Sequence, residues 1–302
     1  MVAWLSESES VSGSTHEEKV VCVIGTWGLV GGWIVKRLLE RGYVVRTTIR
    51  VTPDEASALM ACPGAAQRLK LMHADLLDYY SLSKVINGCV GVFYTSAPHD
   101  LKGIRNYPVD MIEFEVRGTL NVVEACANSE SAHRLVLTSC LSTIVFTGQR
   151  RKDIIFDESS WTDLDFCKDK KLWSPLSKTL AERAAWGLAR DKGLDLVVIN
   201  PATVVGPDCS NPPHDQELAD LLRKGLIAYA LAEDVAEAHI LAFENPQSAG
   251  RYICFGKLES GSNGVVRSST DPLFISRLNE PFCSSQLSNQ KLLKLGMKFG
   301  HL

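Results

Sequence analysis

A chain of 302 residues, 45% hydrophobic and 22% charged, has ordinary globular chemistry. It is long enough for one large α/β domain, or for a nucleotide-binding domain with a smaller lobe. A formal net charge of −3 gives no general reason to expect nucleic acid or an anionic membrane as a partner.

Residues 1–18, rich in Ser and Glu, read as a disordered lead-in without a signal pattern. The strand candidate Val20–Ile24 then runs into Gly25-Thr26-Trp27-Gly28-Leu29-Val30-Gly31, with a helical stretch at Trp33–Arg41. Further strands are expected at Val44–Ile49, Leu69–His73, Val90–Thr95, Arg134–Thr138 and Leu194–Ile199. Helical periodicity separates them at Tyr80–Asn87, Asp110–Asn128 and Leu172–Asp191. This βαβα rhythm predicts an α/β fold with a doubly wound parallel sheet, its ligand crevice at the strand C-termini.

After Pro201 the regularity fades. Asp208–Asp215 reads as a loop, Leu218–Leu231 and Asp234–Glu244 as helical, Arg251–Phe255 as a strand and Lys257–Asp271 as a mobile loop. The expected division is a nucleotide-binding domain over 19–200 and a smaller substrate lobe over 201–302. No apolar run reaches the roughly 18 residues that span a bilayer. Nine cysteines without regular spacing read as buried small hydrophobes of a cytoplasmic protein, not as disulfide staples or metal ligands.

The glycine spacing carries the chemistry. In that setting glycines allow a sharp turn, a close approach of backbone to a pyrophosphate, and tight packing of helix on strand. Gly25, Gly28 and Gly31, with Leu29 and Val30 between the last two, are therefore candidate phosphate contacts. Arg50, just past a second strand that has no acid at its tip, favours NADP(H), because a guanidinium accommodates the 2′-phosphate; the alternative is a solvated strand-end arginine. Asp75 either accepts from the adenine amino group or caps a helix. Leu76, Thr95 and Pro201, at or after other strand ends, complete the candidate cofactor set.

Taken together, these stretches resemble the extended short-chain dehydrogenase/reductase family of plants. The group includes dihydroflavonol, anthocyanidin, vestitone and cinnamoyl-CoA reductases. The resemblance runs from about Val20 to Cys254. Besides the glycines and Ala74-Asp75-Leu76, it rests on Asn87-Gly88-Cys89-Val90-Gly91-Val92-Phe93, Gly118-Thr119-Leu120-Asn121-Val122 and Ser177-Lys178-Thr179-Leu180-Ala181-Glu182. Pro201-Ala202-Thr203-Val204-Val205-Gly206-Pro207 and Asp234-Val235-Ala236-Glu237-Ala238-His239 extend it. Glu115-Val116-Arg117-Gly118-Thr119 and the Asp165–Trp173 stretch look most like the cinnamoyl-CoA reductase-like branch. The resemblance implies an NADP(H)-binding Rossmann fold that acts on the carbonyl of a small phenylpropanoid or flavonoid.

It also implies a Ser that orients the carbonyl, a Tyr that protonates it and a Lys that binds the nicotinamide ribose, the last two as Tyr-x-x-x-Lys. Lys178 is present, but Ser174 stands four residues before it, and Cys140 stands where the family has Ser. A hydroxyl of Ser is shorter and far less acidic than a phenol of pKa about 10, and losing a positioned acid removes roughly 10²–10⁴ in rate. Ser174 with water, Lys178, and Ser139 or Cys140 remain the catalytic candidates. Cys140 as a nucleophile lacks a His base placed by motif, and His239 reads as a core or surface residue. Between Pro207 and Asp234 the chain looks shorter than its relatives, with Ala230-Leu231-Ala232 in place of Val-Asp-Val. Three readings follow: a weak reductase, a catalytically impaired NADPH-binding protein that answers to a protein partner, and a divergent copy with a compromised substrate lobe.

Overall fold

The structure, a computed structural model, describes residues 19–26, 28–48, 53–95, 106–148, 155–206, 228–258, 265–266, 282–283 and 287–300. The first half runs β1 (Val20–Ile24), α1 (Leu29–Glu40), β2 (Val44–Thr48), α2 (Pro53–Met60), α3 (Ala65–Arg68), β3 (Leu69–Met72), α4 (Tyr79–Ile86), β4 (Gly91–Thr95) and α5 (Val109–Ala127). Then come β5 (Arg134–Thr138), a 3-10 turn (Leu141–Thr143), α6 (Leu164–Asp169), α7 (Trp173–Lys192), β6 (Asp195–Pro201) and β7 (Thr203–Val205). β8 (Ala228–Leu231), α8 (Ala232–Glu244), β9 (Gly250–Cys254) and β10 (Lys257–Leu258) follow. Two short strands, Val265–Val266 and Phe282–Cys283, pair with each other before α9 (Gln290–Lys294).

Seven strands form one sheet in the order β3-β2-β1-β4-β5-β6-β9, every neighbouring pair parallel. The strands anticipated from the sequence are all there, with ends shifted by at most two residues. From β1 the chain steps outward through β2 and β3, then crosses back to build the other half from β4. The crevice between β1 and β4 is therefore the topological switch point, where open α/β sheets bind ligands.

Alternation along each strand sends side chains to opposite faces. Val21, Val23, Phe93, Val136 and Val197 meet Ile34 and Leu38 of α1 and Val235 and Ile240 of α8 on one side. Cys22, Ile24, Val92, Tyr94, Leu135 and Val198 meet α4, α5 and α7 on the other. Burial on both faces explains why these strands read as continuous apolar runs. Cys22, Cys62, Cys89, Cys126, Cys140, Cys167 and Cys254 are free thiols, and all of these but Cys140 are buried. No helix among the described residues is long and apolar enough to cross a membrane.

Segments beyond residue 200 contribute to this same sheet. β9 pairs with the outer edge of β6, and α8 packs along α1, where Arg41 meets Glu237 at 2.5 Å. The main sheet thus draws on both sides of the boundary expected at 200, because β6 needs a partner for its edge and α8 needs the sheet to cover its apolar face.

Two local expectations are corrected. Within Leu218–Leu231, read as helical, Ala228–Leu231 is a strand between β7 and β10, and pairing on both sides overrides a helix-favouring composition. Within Lys257–Asp271, read as a loop, Lys257–Leu258 and Val265–Val266 are paired strands. α1 also starts four residues earlier than its periodicity suggested, since Gly31 and Gly32 are held helical by burial against the sheet. The lead-in at 1–18, the loop at 208–215 and residues 218–227 lie outside the described residues.

Candidate nucleotide and carbonyl site

Gly25 leaves β1 with φ +94°, a left-handed conformation that favours glycine. Its N–H donates to Thr48 Oγ1 at 3.2 Å, and Thr26 Oγ1 donates to the Thr48 carbonyl at 2.9 Å. From β4, Thr95 Oγ1 donates to the carbonyls of Ile24, at 3.2 Å, and Gly25, bracing the turn across the switch point. A Cβ on Gly25 would run into the Thr95 carbonyl; one on Gly31 would lie 2.7 Å from both Gly25 O and Thr26 Cα. Gly28 is the N-cap of α1; it brings no capping side chain, and the first turn holds no acid. The first N–H groups, at Leu29 and Val30, thus present the positive end of the helix without an internal carboxylate to neutralise it. These features fit a phosphate-bearing dinucleotide.

The remaining cofactor candidates fall around this cradle. Asp75 Oδ1 accepts from the Leu77 N–H at 2.9 Å in an exposed turn, whereas the cap of α4 is Asp78, which accepts from Tyr80 N at 3.0 Å. Leu76 is buried, and its carbonyl accepts from Asn121 Nδ2 on α5 at 2.8 Å. Gly118 lets α5 approach that loop, since a Cβ there would sit 3.3 Å from Leu76 Cβ. Pro201 ends β6 opposite Cys254. Arg50 lies outside the described residues. Arg46 points elsewhere, donating to the Asn87 carbonyl at 2.5 Å.

α7 carries the chemistry candidates. Ser174, Lys178 and Glu182 recur every four residues and form one stripe along it. Ser174, the second helical residue, is exposed. Pro175 follows within the first turn, where a missing N–H costs nothing, and its carbonyl accepts from Thr179 Oγ1 at 2.7 Å. Lys178 Nζ lies 2.7 Å from Glu115 Oε1 of α5, with both side chains mostly buried.

Ser139 Oγ donates to Glu182 Oε2 at 2.5 Å, so its proton is engaged by a buried carboxylate. Cys140 caps the 3-10 turn, its sulfur accepting from Ser142 N at 3.5 Å. Glu182 also accepts from Thr143 Oγ1 at 2.8 Å and Asn200 Nδ2 at 3.0 Å, and pairs with Arg251 Nε at 2.6 Å. Asn200 Oδ1 is buried at the end of β6 without a hydrogen-bond partner.

His239 is fully buried. Its Nδ1 faces the Val235 carbonyl at 2.7 Å and must carry the proton, leaving Nε2 to accept from Thr138 Oγ1 at 2.6 Å. Burial pushes its pKa down to about 4, so it is a neutral core residue at pH 7. Among the described residues no group of three or more His, Cys, Asp or Glu side chains could hold a metal ion.

The residues that sequence reasoning missed are Glu115, Glu182, Asn200 and Arg251. A signal existed for the charged ones. Glu115 interrupts an otherwise apolar or small face with Gly118, Thr119 and Val122, and Arg251 opens an apolar strand; a buried charge needs a partner.

A parallel sheet whose switch point carries a glycine cradle, with a lysine on the neighbouring helix, defines a dinucleotide-dependent protein of the Rossmann type. A family model described as "NAD dependent epimerase/dehydratase family" matches residues 21–254, and the chain belongs to that family, whose coenzyme is a nicotinamide nucleotide. The chain is similar to cinnamoyl-CoA reductase 1 of Petunia hybrida, at 39% identity over 96% of this chain and 89% of that protein. Dihydroflavonol 4-reductase of Zea mays is 38% identical over 79% of this chain and 70% of its own length. The crystal structure of vestitone reductase from alfalfa (Medicago sativa) matches with TM-score 0.74 and 32% identity over 94% of both chains.

Proposed function

We propose that this chain is an NADP(H)-dependent reductase acting on the carbonyl of a small phenylpropanoid or flavonoid, slower than relatives that keep a phenolic acid. The glycine cradle carries the reading: a methyl group at Gly31 would fill the space that the turn keeps clear. When bound, the nicotinamide supplies the hydride. Lys178 would donate to the ribose hydroxyls, and Ser174 would hold a water able to pass a proton to the carbonyl oxygen. Arg50 would answer the 2′-phosphate, and Asp75 would accept from the adenine amino group. A reducing cytosol fits the free thiols.

A second reading, a nucleotide-binding protein without turnover, is favoured by one observation. The Ser139 proton is committed to Glu182, which leaves Cys140 as the only candidate beside it to orient a carbonyl.

Calorimetry with NADPH and NADH, followed by a carbonyl panel, tests both. The reductase reading expects tighter NADPH binding and measurable oxidation by the natural chain, rising by about 10²–10⁴ in Ser174→Tyr/Cys140→Ser. Turnover confined to the restored variant rejects it in favour of the second reading. Arg50→Ala is expected to weaken NADPH but not NADH by roughly 10–100-fold.

A further inference from the structure

Lys178 and Glu115 do not form an ordinary surface pair. Their side chains are 16% and 7% exposed, at an Nζ–Oε1 distance of 2.7 Å. Glu115 lies on the face of α5 that presses on α7, where a carboxylate is costly unless a cation answers it. Four residues before Lys178, Ser174 offers only a short, exposed hydroxyl. The ammonium therefore takes its anionic partner from a different helix.

We infer that Glu115 is the positioning residue for Lys178, a carboxylate that holds the ammonium at the carbonyl end of the nucleotide crevice. The inference rests on the reading of Lys178 as the cofactor-contacting lysine. It makes the site depend on α5 as much as on α7, and α5 also carries Asn121 and Gly118 against the Leu76 loop. One helix thus touches both the expected adenine side and the expected nicotinamide side. Among the described residues, three other titratable groups around this stretch are engaged elsewhere or sit apart from the pair. Glu182, one turn along α7, is matched by Arg251; Cys140 sits on the turn that packs against α7; Asp110 at the start of α5 accepts from the Asn106 N–H.

The test uses the full chain and the variants Glu115→Gln, which keeps the shape and removes the charge, and Glu115→Asp, which keeps the charge on a shorter arm. Lys178 acetylation in the cofactor-free protein is followed by mass spectrometry, and NADPH affinity by fluorescence. In Glu115→Gln, Lys178 is expected to be acetylated faster than in the natural chain, because the amide no longer pairs with the ammonium and holds it in place. NADPH binding should weaken by about tenfold or more. Glu115→Asp should recover most of both effects, and does so even if the amide variant folds poorly. A merely structural carboxylate would lower the melting temperature without moving either readout. Binding of NADPH by the natural chain with both readouts unchanged in both variants overturns this inference alone. No NADPH binding by the natural chain overturns the cofactor reading and this inference with it.

Discussion

Arg251 Nε lies 2.6 Å from Glu182 Oε1, and the two side chains are 6% and 1% exposed. Arg251 also donates to Thr143 Oγ1 at 2.9 Å and to the Ser160 carbonyl at 2.5 Å, with its guanidinium 3.9 Å above the Trp161 ring. With Ser139 and Asn200 these groups tie α7 to the ends of β5 and β6 and to β9. The helix that carries Lys178 is thus anchored one turn away from it by a polar core.

Removing one partner of that pair should be severe. Arg251→Met leaves a buried carboxylate with hydrogen bonds but no counter-charge, at an expected cost of about 3–5 kcal/mol in urea unfolding. The double variant Arg251→Met/Glu182→Leu should recover part of that loss. A double variant no more stable than the single one would show that the surrounding hydroxyls, and not the charge, set the cost.

His239 predicts an acid-side loss of stability. Its folded pKa, about 4, lies below the unfolded value of 6.5, so the unfolded chain binds the extra proton first. The contribution is fully present above pH 6.5, declines as pH falls through that value and is gone below about 4; its size is on the order of 3 kcal/mol. Denaturant midpoints of the natural chain and His239→Leu should therefore diverge at pH 7 and converge toward pH 4. Parallel curves would refute the assignment.

Gly31→Ala is expected to cost about 1–3 kcal/mol, because its methyl meets backbone on two sides. It should also abolish NADPH binding. Gly42→Ala is the control: Gly42 has a positive φ of +84°, which helical Gly31 lacks, and open space surrounds it. That variant should lose about 1 kcal/mol and bind NADPH normally.

Lys171 has φ +55° where α6 ends and the chain turns into α7. The Leu172 N–H donates back to the Cys167 carbonyl at 2.8 Å, a closure that usually employs glycine. Lys171→Gly should therefore raise stability by roughly 0.5–1 kcal/mol, read as a higher melting temperature.

Much of the fold was legible because its signals are local. Val20–Ile24 announces itself by an unbroken apolar run, Leu69–His73 and Arg134–Thr138 by short apolar-rich stretches, and α5 and α7 by periodicity over several turns. Ala228–Leu231 was misread because four residues rich in Ala look helical until β7 and β10 are known to flank them. β9 was seen as a strand, but nothing in its residues says that it joins the main sheet.

The amino-acid sequence by itself determined the alternation of strand and helix, the glycine turn and the placing of Ser174 four residues before Lys178. Each of these is written within a few neighbouring positions, so covalent geometry and side-chain chemistry suffice to read it. Tertiary structure alone decided which carboxylate faces Lys178, since Glu115 lies 63 residues away. It likewise decided that Ser139 donates its hydrogen bond to Glu182, 43 residues on. Such partnerships arise only when helices stack against a common sheet, because burying a charge obliges the fold to bring another group to meet it.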